Sequence, residues 1–395
     1  MADNRRLFRL LALSSFFLYF GFEIWQDTFN NLAVEQLDVQ AAQIGLIQSL
    51  REIPGLLSFV LAFLVLWLSE MRVMGLSVLL LGVGLIAMGW ADGFWMLVLS
   101  TFVMSTGFHF FYPSSASIVL TTVHPDEAPQ FLGRLRSVSS LAALLATLAI
   151  WILVKGVQLG PLNIPAWGYR NLLMVTGVLV VAGSLLALRS GRRMGTTTQR
   201  PKIVFRRAYW LYYVLSFLLG SRRHIFTTFA IFLLVQVYGL DVRATAALYL
   251  TNSLVNTYAS AQLGKLVARY GERTMLTVNF VGLIGVFLGY AFIPYLPVLL
   301  ALFILDNVFF GFSLAVDSYF QKIAHSADEI TSNVSMAQTI NHISALVVPV
   351  LGGILWQQVA PAATFLAGVA IAVVSLAFVQ FIPSRPVPVA LPAGG

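Results

Sequence analysis

Apolar residues run through this chain in long continuous stretches, and polar residues gather in short breaks between them. Twelve apolar runs can be read, at roughly 10–33, 42–68, 73–90, 94–121, 133–156, 168–188, 208–237, 244–268, 274–293, 297–320, 331–358 and 362–383. Each is near or above the ~20 residues that carry a helix across a bilayer. The runs lack the short alternating pattern of a membrane barrel, so helices are the expectation. Three runs approach thirty residues, which predicts tilt or extension past the bilayer rather than additional crossings.

Composition agrees with this pattern. Of 395 residues, 58% are hydrophobic and 10% charged, against about 25% charged in soluble domains. The first run passes directly into membrane-type sequence and reads as a signal anchor. With no cysteine, disulfides and thiol catalysis are excluded. The net charge of +8 does not point to nucleic acid, because the basic residues sit in short breaks between runs. With the N-terminus inside, the inner side collects Arg5, Arg6, Arg9, Arg72, Arg134, Arg136, seven residues within 189–207, then Lys265, Arg269, Arg273, Lys322 and Arg385. The outer side collects Lys155, Arg170 and Arg243. That asymmetry predicts both termini in the cytoplasm.

The longest polar connection, RSGRRMGTTTQRPKIVFRR at 189–207, divides the chain into six runs and six. The expected organisation is a six-helix bundle over 1–188, a basic cytoplasmic linker over 189–207, a second six-helix bundle over 208–383 and a flexible tail over 384–395. The halves echo one another. The first run ends in Leu-Asp-Val at Leu37–Val39, the seventh in the same tripeptide at Leu240–Val242, and a more polar run follows each. Two six-helix halves are the layout of transporters built from parallel repeats.

Between the eighth and ninth runs the sequence reads GKLVARYGER. Gly264, Leu266, Arg269, Gly271 and Arg273 match a ten-residue signature, G-x-L-a-D-R-x-G-R-R, by which the chain resembles the major facilitator superfamily, bacterial type. The signature's acidic position is Ala268 here and its ninth is Glu272. The first-half copy, WLSEMRVMG, keeps Glu70 and Arg72. The resemblance implies an all-α membrane protein of twelve transmembrane helices in two pseudo-symmetric bundles. It assigns Gly264, Arg269, Gly271 and Arg273 to gating and implies that spans 1, 4, 7 and 10 line a central cavity. The fourth span lacks the arginine of proton-coupled members and carries His109. The fifth lacks the Gly-Pro pattern of drug/proton antiporters, while Pro349–Gly353 lies in the eleventh.

Ionisable side chains inside a bilayer are costly and face partners or cavities. The stretch LGSRRHIFTT, residues 219–228, puts Arg222, Arg223 and His224 in the middle of an apolar run. Span 1 carries Glu23, Gln26, Asp27 and Asn30 at helical spacing on one face. Span 4 carries Ser105, His109 and Tyr112, and span 10 carries Asp306, Asn307 and Asp317. Neighbours on a helix diverge by ~100°, so one of Arg222 and Arg223 is expected to face the cavity and the other a neighbouring helix. Thr227, one turn on, tips the expectation to Arg223. Arg51 and Glu52 pose the same problem in span 2. Arg51 is expected to meet Asp27 or Glu23, and Glu52 an arginine of another span, as a charge network. Four mid-span acids against three bases leave one carboxylate over, which marks Glu23 or Asp27 as a proton carrier. Arg222, Arg223, His224, His109, Tyr112, Asp306 and Asn307 are the expected substrate-binding set. The bland reading of the arginines is a static bridge to Asp306 or Glu52. That of His109 and His342 is a satisfied core histidine, and Asn252, Asn256, Gln338 and Asn341 read as interhelical glue.

The leading functional reading is a monomeric secondary transporter of the inner membrane, moving a small organic anion or zwitterion with protons. Arginine forks suit carboxylate and phosphate. Organophosphate transporters of the superfamily are similar in using a span 7 arginine with a first-half histidine, but span 1 here holds acids where they place a second arginine. A second reading is efflux of drugs or other lipophilic cations on Glu23, Asp27, Phe20, Phe22 and Trp25. A third is divalent-metal transport through His109, His224 and His342 with Asp27 and Asp306. An enzyme or membrane sensor finds no catalytic arrangement and no loop long enough for a domain. No cofactor, resident metal or nucleic-acid partner is expected.

Overall fold

The computed structural model describes residues 2–57, 64, 67–124, 127–159, 162–190, 206–325 and 327–383. The expected linker is described only at its ends. Most of it, with Arg192, Arg193, Arg200 and Lys202, lies outside the described residues, as do Arg385 and the expected tail.

Each apolar run falls on a helix. In chain order these are α1 (Ala2–Leu37), α2 (Ala41–Leu56), α3 (Glu70–Gly89), α4 (Phe94–Thr122), α5 (Ala128–Leu153), α6 (Gly168–Ser190), α7 (Trp210–Gln236), α8 (Val242–Tyr270), α9 (Glu272–Phe292), α10 (Leu296–Phe310), α11 (Leu314–Ile323), α12 (Ala327–Gln358) and α13 (Pro361–Val379). Ten spans among the described residues are long and apolar enough to cross a membrane. The two runs without such a span are α2 and α8, equivalent places in the two halves. The end of the second run lies partly outside the described residues. Along α8, Asn252, Ser253, Asn256 and Thr257 dilute the apolar signal.

Two local features depart from the sequence expectation. Strands β1 (Val157–Leu159) and β2 (Leu162–Ile164) form an antiparallel hairpin after α5, pairing Gln158 with Asn163. Three-residue strands carry too little alternation to be read in a sequence. The tenth run is not one helix: a 3-10 turn at Gly311–Ser313 separates α10 from α11. Mid-helix 3-10 stretches mark hinges or strain.

The chain divides into two compact units. The first holds the described residues of Met1–Val39, Leu50–Gln199 and Leu240–Ala247. The second holds those of Gln40–Ser49, Arg200–Gly239 and Leu248–Gly395. In the first unit α3 lies between α4 and α6, and α1 runs along α5 and α6. Small residues make the close approach possible, as in other membrane helix pairs. A methyl added to Gly84 would lie 2.5 Å from the Met104 amide nitrogen, and one added to Gly82 would lie 2.9 Å from the Gly177 carbonyl. The start of α8 is held in this unit by polar contacts. Asn31 Nδ2 donates to the Leu240 carbonyl at 2.8 Å, Lys155 Nζ meets Asp241 at 2.9 Å, and Arg243 donates to the Trp151 and Gly156 carbonyls. Asp241 also caps α8 by accepting from the Ala244 amide at 2.9 Å. Burial pushes the Asp241 carboxyl up, but the Ala244 amide and the Lys155 ammonium outweigh it and hold it below its ordinary range.

In the second unit α7 lies against α12 and α13, and α13 against α9. Tyr209, Tyr212, Phe280, Phe312 and Phe320 form its buried core, with Tyr212 stacked on Phe320 at 4.2 Å. The start of α2 belongs here, where the Gly45 backbone meets the Pro349 carbonyl and Gly353 meets Ala41 and Ala42.

The halves repeat one further detail. Glu70 opens α3 and accepts from Ser117 of α4. Glu272 opens α9 and accepts from Ser318 of α11 at 2.7 Å. In the second copy Lys322 also meets Glu272, at 2.5 Å. In the first copy of the repeated Leu-Asp-Val, Asp38 takes a left-handed conformation (φ 48°) just after α1, and in the second Asp241 caps α8.

Candidate functional site

The second unit builds its polar group on α7. Arg222 is fully buried, and its Nη1 donates to Asp306 Oδ1 of α10 at 2.8 Å. Its Nε and Nη2 are buried without a hydrogen-bond partner. Arg223, half-buried, points its guanidinium at the face of Phe310, 3.5 Å from the ring centroid, and Arg222 lies 5.3 Å from the same ring. Cation–π contact of this kind stabilises a desolvated arginine by ~2 kcal/mol or more. Phe310 is the last residue of α10, immediately before the 3-10 turn. One carboxylate and one ring thus hold two guanidiniums beside the break in the tenth span.

Arg222 and Arg223 both reach α10: Arg222 bonds to Asp306, and Arg223 lies over Phe310. Thr227 has no part in this. Its hydroxyl donates to the Arg223 carbonyl of its own helix at 3.0 Å. Asn307 likewise spends its amide on the Phe303 carbonyl at 3.0 Å. His224 is half-buried on α7.

The first unit carries the acids. Asp27 is fully buried on α1 and accepts from the Thr147 hydroxyl of α5 at 3.4 Å. Glu23 is half-buried one turn earlier, and Asn30 is buried one turn later. Aromatic side chains line this stretch: Phe22 stacks on Phe108 at 3.9 Å, and Trp25 lies 5.2 Å from Phe29.

Arg51 and Glu52 correct the sequence reading. They were expected to find separate partners, but Arg51 Nη2 bonds to Glu52 itself. Adjacent Cβ atoms diverge, yet an arginine side chain is long enough to curl back to the next residue. The Arg51 guanidinium also lies 5.3 Å from the Trp25 ring, and its carbonyl accepts from Ser105 at 2.6 Å. Glu52 has His109 Nε2 3.7 Å from its other oxygen. His109 therefore joins the span 2 charges. Pro113, one turn later in α4, has no amide to give the His109 carbonyl. Tyr112 is 69% exposed and stands apart from this group.

The signature residues are placed by their backbone. Gly271 ends α8 and precedes α9 at φ 81°, a conformation that favours glycine. Arg273 donates to Gln380 at 3.0 Å, and Arg269 lies 5.2 Å from the Tyr270 ring. A methyl on Gly264 would meet nothing within 4 Å. Asn256, expected as glue between helices, donates to Asn252 of its own helix. Among the described residues no group of three His, Cys, Asp or Glu is placed to hold a metal ion.

The sequence matches the Major Facilitator Superfamily over residues 11–349. The chain belongs to this superfamily. Its fold is found in solved transporters of low sequence identity. A bacterial homologue of the human lysosomal transporter Spinster, in an inward-facing and occupied conformation, aligns with TM-score 0.76 and 13% identity over 96% of each chain. The nucleoside transporter NupG aligns with TM-score 0.74 and 15% identity, over 95% of this chain and 97% of its own. No curated protein matches by sequence. As a superfamily member the protein is an all-α, multi-pass membrane transporter and not an enzyme. Sequence reasoning missed Phe310, Thr147 and Trp25 as partners of the charged groups. With 30 phenylalanines in the chain, nothing local sets Phe310 apart.

Proposed function

We propose that the protein is a secondary active transporter that moves a small organic anion or zwitterion across the inner membrane by alternating access, as a monomer. The observation that carries this reading is the pair of mid-span guanidiniums on Phe310. Arg222 is fixed by Asp306, and the half-buried Arg223 guanidinium lies over the Phe310 ring. A guanidinium stacked on a ring keeps its in-plane N–H groups directed outward, where they suit a carboxylate. Arg223 is the residue that engages the anion, and Arg222 with Asp306 holds the local geometry. Proton coupling is assigned to the acidic face of α1, Glu23 and Asp27, which have no arginine partner among the described residues. Both termini are cytoplasmic, on the strength of the lysine and arginine asymmetry.

Proteoliposome uptake tests the reading. Arg223→Ala abolishes accumulation of small carboxylates while the protein remains folded. Undiminished uptake in that variant removes the assignment.

One observation favours a second reading, efflux of lipophilic cations. Phe22, Phe108 and Trp25 stand beside Glu23 and Asp27, and an aromatic wall next to a carboxylate suits an organic cation. Binding of such a cation lost in Glu23→Gln and kept in Arg223→Ala would select it.

A further inference from the structure

We propose that the acidic face of α1 holds a sodium ion at Asp27, completed by the Thr147 hydroxyl of α5 and the Asn30 side-chain carbonyl, where sodium competes with the proton. This rests on the coupling role given to Glu23 and Asp27 above and adds a second ion to it.

Asp27 is fully buried, and only one of its oxygens is occupied: Oδ2 takes the Thr147 hydroxyl at 3.4 Å, and Oδ1 takes nothing. Asn30, one helical turn on and 6% exposed, also buries an Oδ1 without a partner. These two bare oxygens share a helix face with the hydroxyl packed against it. The guanidinium expected to neutralise Asp27 is committed elsewhere, since Arg51 bonds to Glu52. Several charged groups on the elements around α1 are also engaged, while Arg134 and Arg136 of α5 are exposed. His109 lies on Glu52, Tyr169 donates to Glu35, Arg170 donates to Gln36, and Glu70 accepts from Ser117. Glu23, one turn before Asp27, and Tyr19, one turn before that, are the other titratable groups on the face. A buried ionised carboxylate without a counter-charge is strongly unfavourable, so Asp27 is neutralised either by a proton or by a bound cation.

The donor set says which cation. Carboxylate, amide carbonyl and hydroxyl are hard oxygen ligands, which suit alkali and alkaline-earth ions rather than zinc or copper. One sealed carboxylate, with Glu23 at its edge, supplies too little charge for a divalent ion. No cluster of three acidic or histidine side chains lies among the described residues. A monovalent ion balances Asp27, and sodium is the small abundant one. A proton on Asp27 and a sodium ion beside it exclude each other, so acid weakens sodium binding.

The test is thermal unfolding of the purified full-length protein in detergent, at constant ionic strength, with sodium chloride replaced stepwise by choline chloride. Sodium is expected to raise the midpoint saturably by roughly 2–4 °C, more at pH 8 than at pH 5.5. Thr147→Val, which removes one oxygen at constant shape, shrinks the shift, Thr147→Ser retains it, and Asp27→Asn abolishes it. Equal midpoints in sodium and choline, or a sodium shift unchanged in both Thr147→Val and Asp27→Asn, overturn the proposal. Proton-driven transport with no sodium shift removes this inference alone. A sodium shift with transport indifferent to the pH gradient removes the proton role alone.

Discussion

Arg222 and Arg223 are neighbours in sequence and differ in burial. Arg222 is sealed against Asp306, and breaking a buried ion pair leaves an uncompensated charge. Arg222→Ala or Asp306→Ala alone should therefore cost about 3–5 kcal/mol of stability, while the apolar double replacement Arg222→Met with Asp306→Leu should recover most of it. Thermal midpoints of the three variants check this. Failure of the double variant to recover would mean that the pair does more than balance itself. Arg223→Ala should shift the midpoint less than Arg222→Ala, because Arg223 is only half-buried and Asp306 keeps its bond to Arg222. The sequence separated these roles only in part. Helical divergence implies that one arginine meets a neighbouring helix, but Thr227, the residue used to choose, bonds to its own backbone. The choice depends on Phe310 and Asp306, and which of thirty phenylalanines meets an arginine is a tertiary fact.

At the scale of elements, close helix packing and a polar clasp give separate predictions. Gly82 and Gly177 let α3 and α6 touch backbone to backbone. Gly177→Leu should force them apart and lower stability by roughly 1–3 kcal/mol, read as a lower midpoint with transport reduced in proportion to folded protein. The start of α8 is tied to Lys155 and to the Trp151 and Gly156 carbonyls through Asp241 and Arg243. Asp241 has a lowered folded pKa, so its contribution is present above the unfolded value and is lost as pH falls through the folded one. Proteolysis or hydrogen exchange at the start of α8 should therefore rise below about pH 4. Asp241→Asn should flatten that dependence; an unchanged profile would show that the clasp rests on Arg243 and Asn31 instead. Helix existence was legible throughout, because continuous apolar runs leave little else for the chain to form in a bilayer. The broken tenth span was not. Gly-Phe-Ser at Gly311–Ser313 has no proline, and nothing local distinguishes it from a glycine tolerated inside a helix. The partner choice of Arg51 was missed for a related reason: spacing rules describe Cβ directions, whereas a long flexible side chain can turn back.

For the molecule as a whole, the distribution of lysine and arginine was the strongest topological signal in the sequence, and the absence of cysteine makes it testable. Single cysteines at Gln158 in the hairpin and at Lys322 after the tenth span should label from opposite sides of the membrane with an impermeant maleimide. Labelling from the same side would overturn the assigned orientation. Repetition between the halves is legible in Leu-Asp-Val and is seen again in Glu70 with Ser117 and Glu272 with Ser318. The repeat does not extend to the charged groups that matter most: acids lie on α1, while the arginines lie on α7. That asymmetry is the basis of the functional account, in which one half handles the driving cation and the other the anion. The most direct test is uptake of a panel of radiolabelled small carboxylates into proteoliposomes under an imposed pH gradient, comparing the parent protein with Arg223→Ala and Arg223→Lys. The account predicts gradient-driven accumulation of at least one carboxylate, lost in Arg223→Ala and weakened in Arg223→Lys, which keeps the charge without the fork. Accumulation that survives Arg223→Ala, or a panel in which only organic cations move, would contradict it.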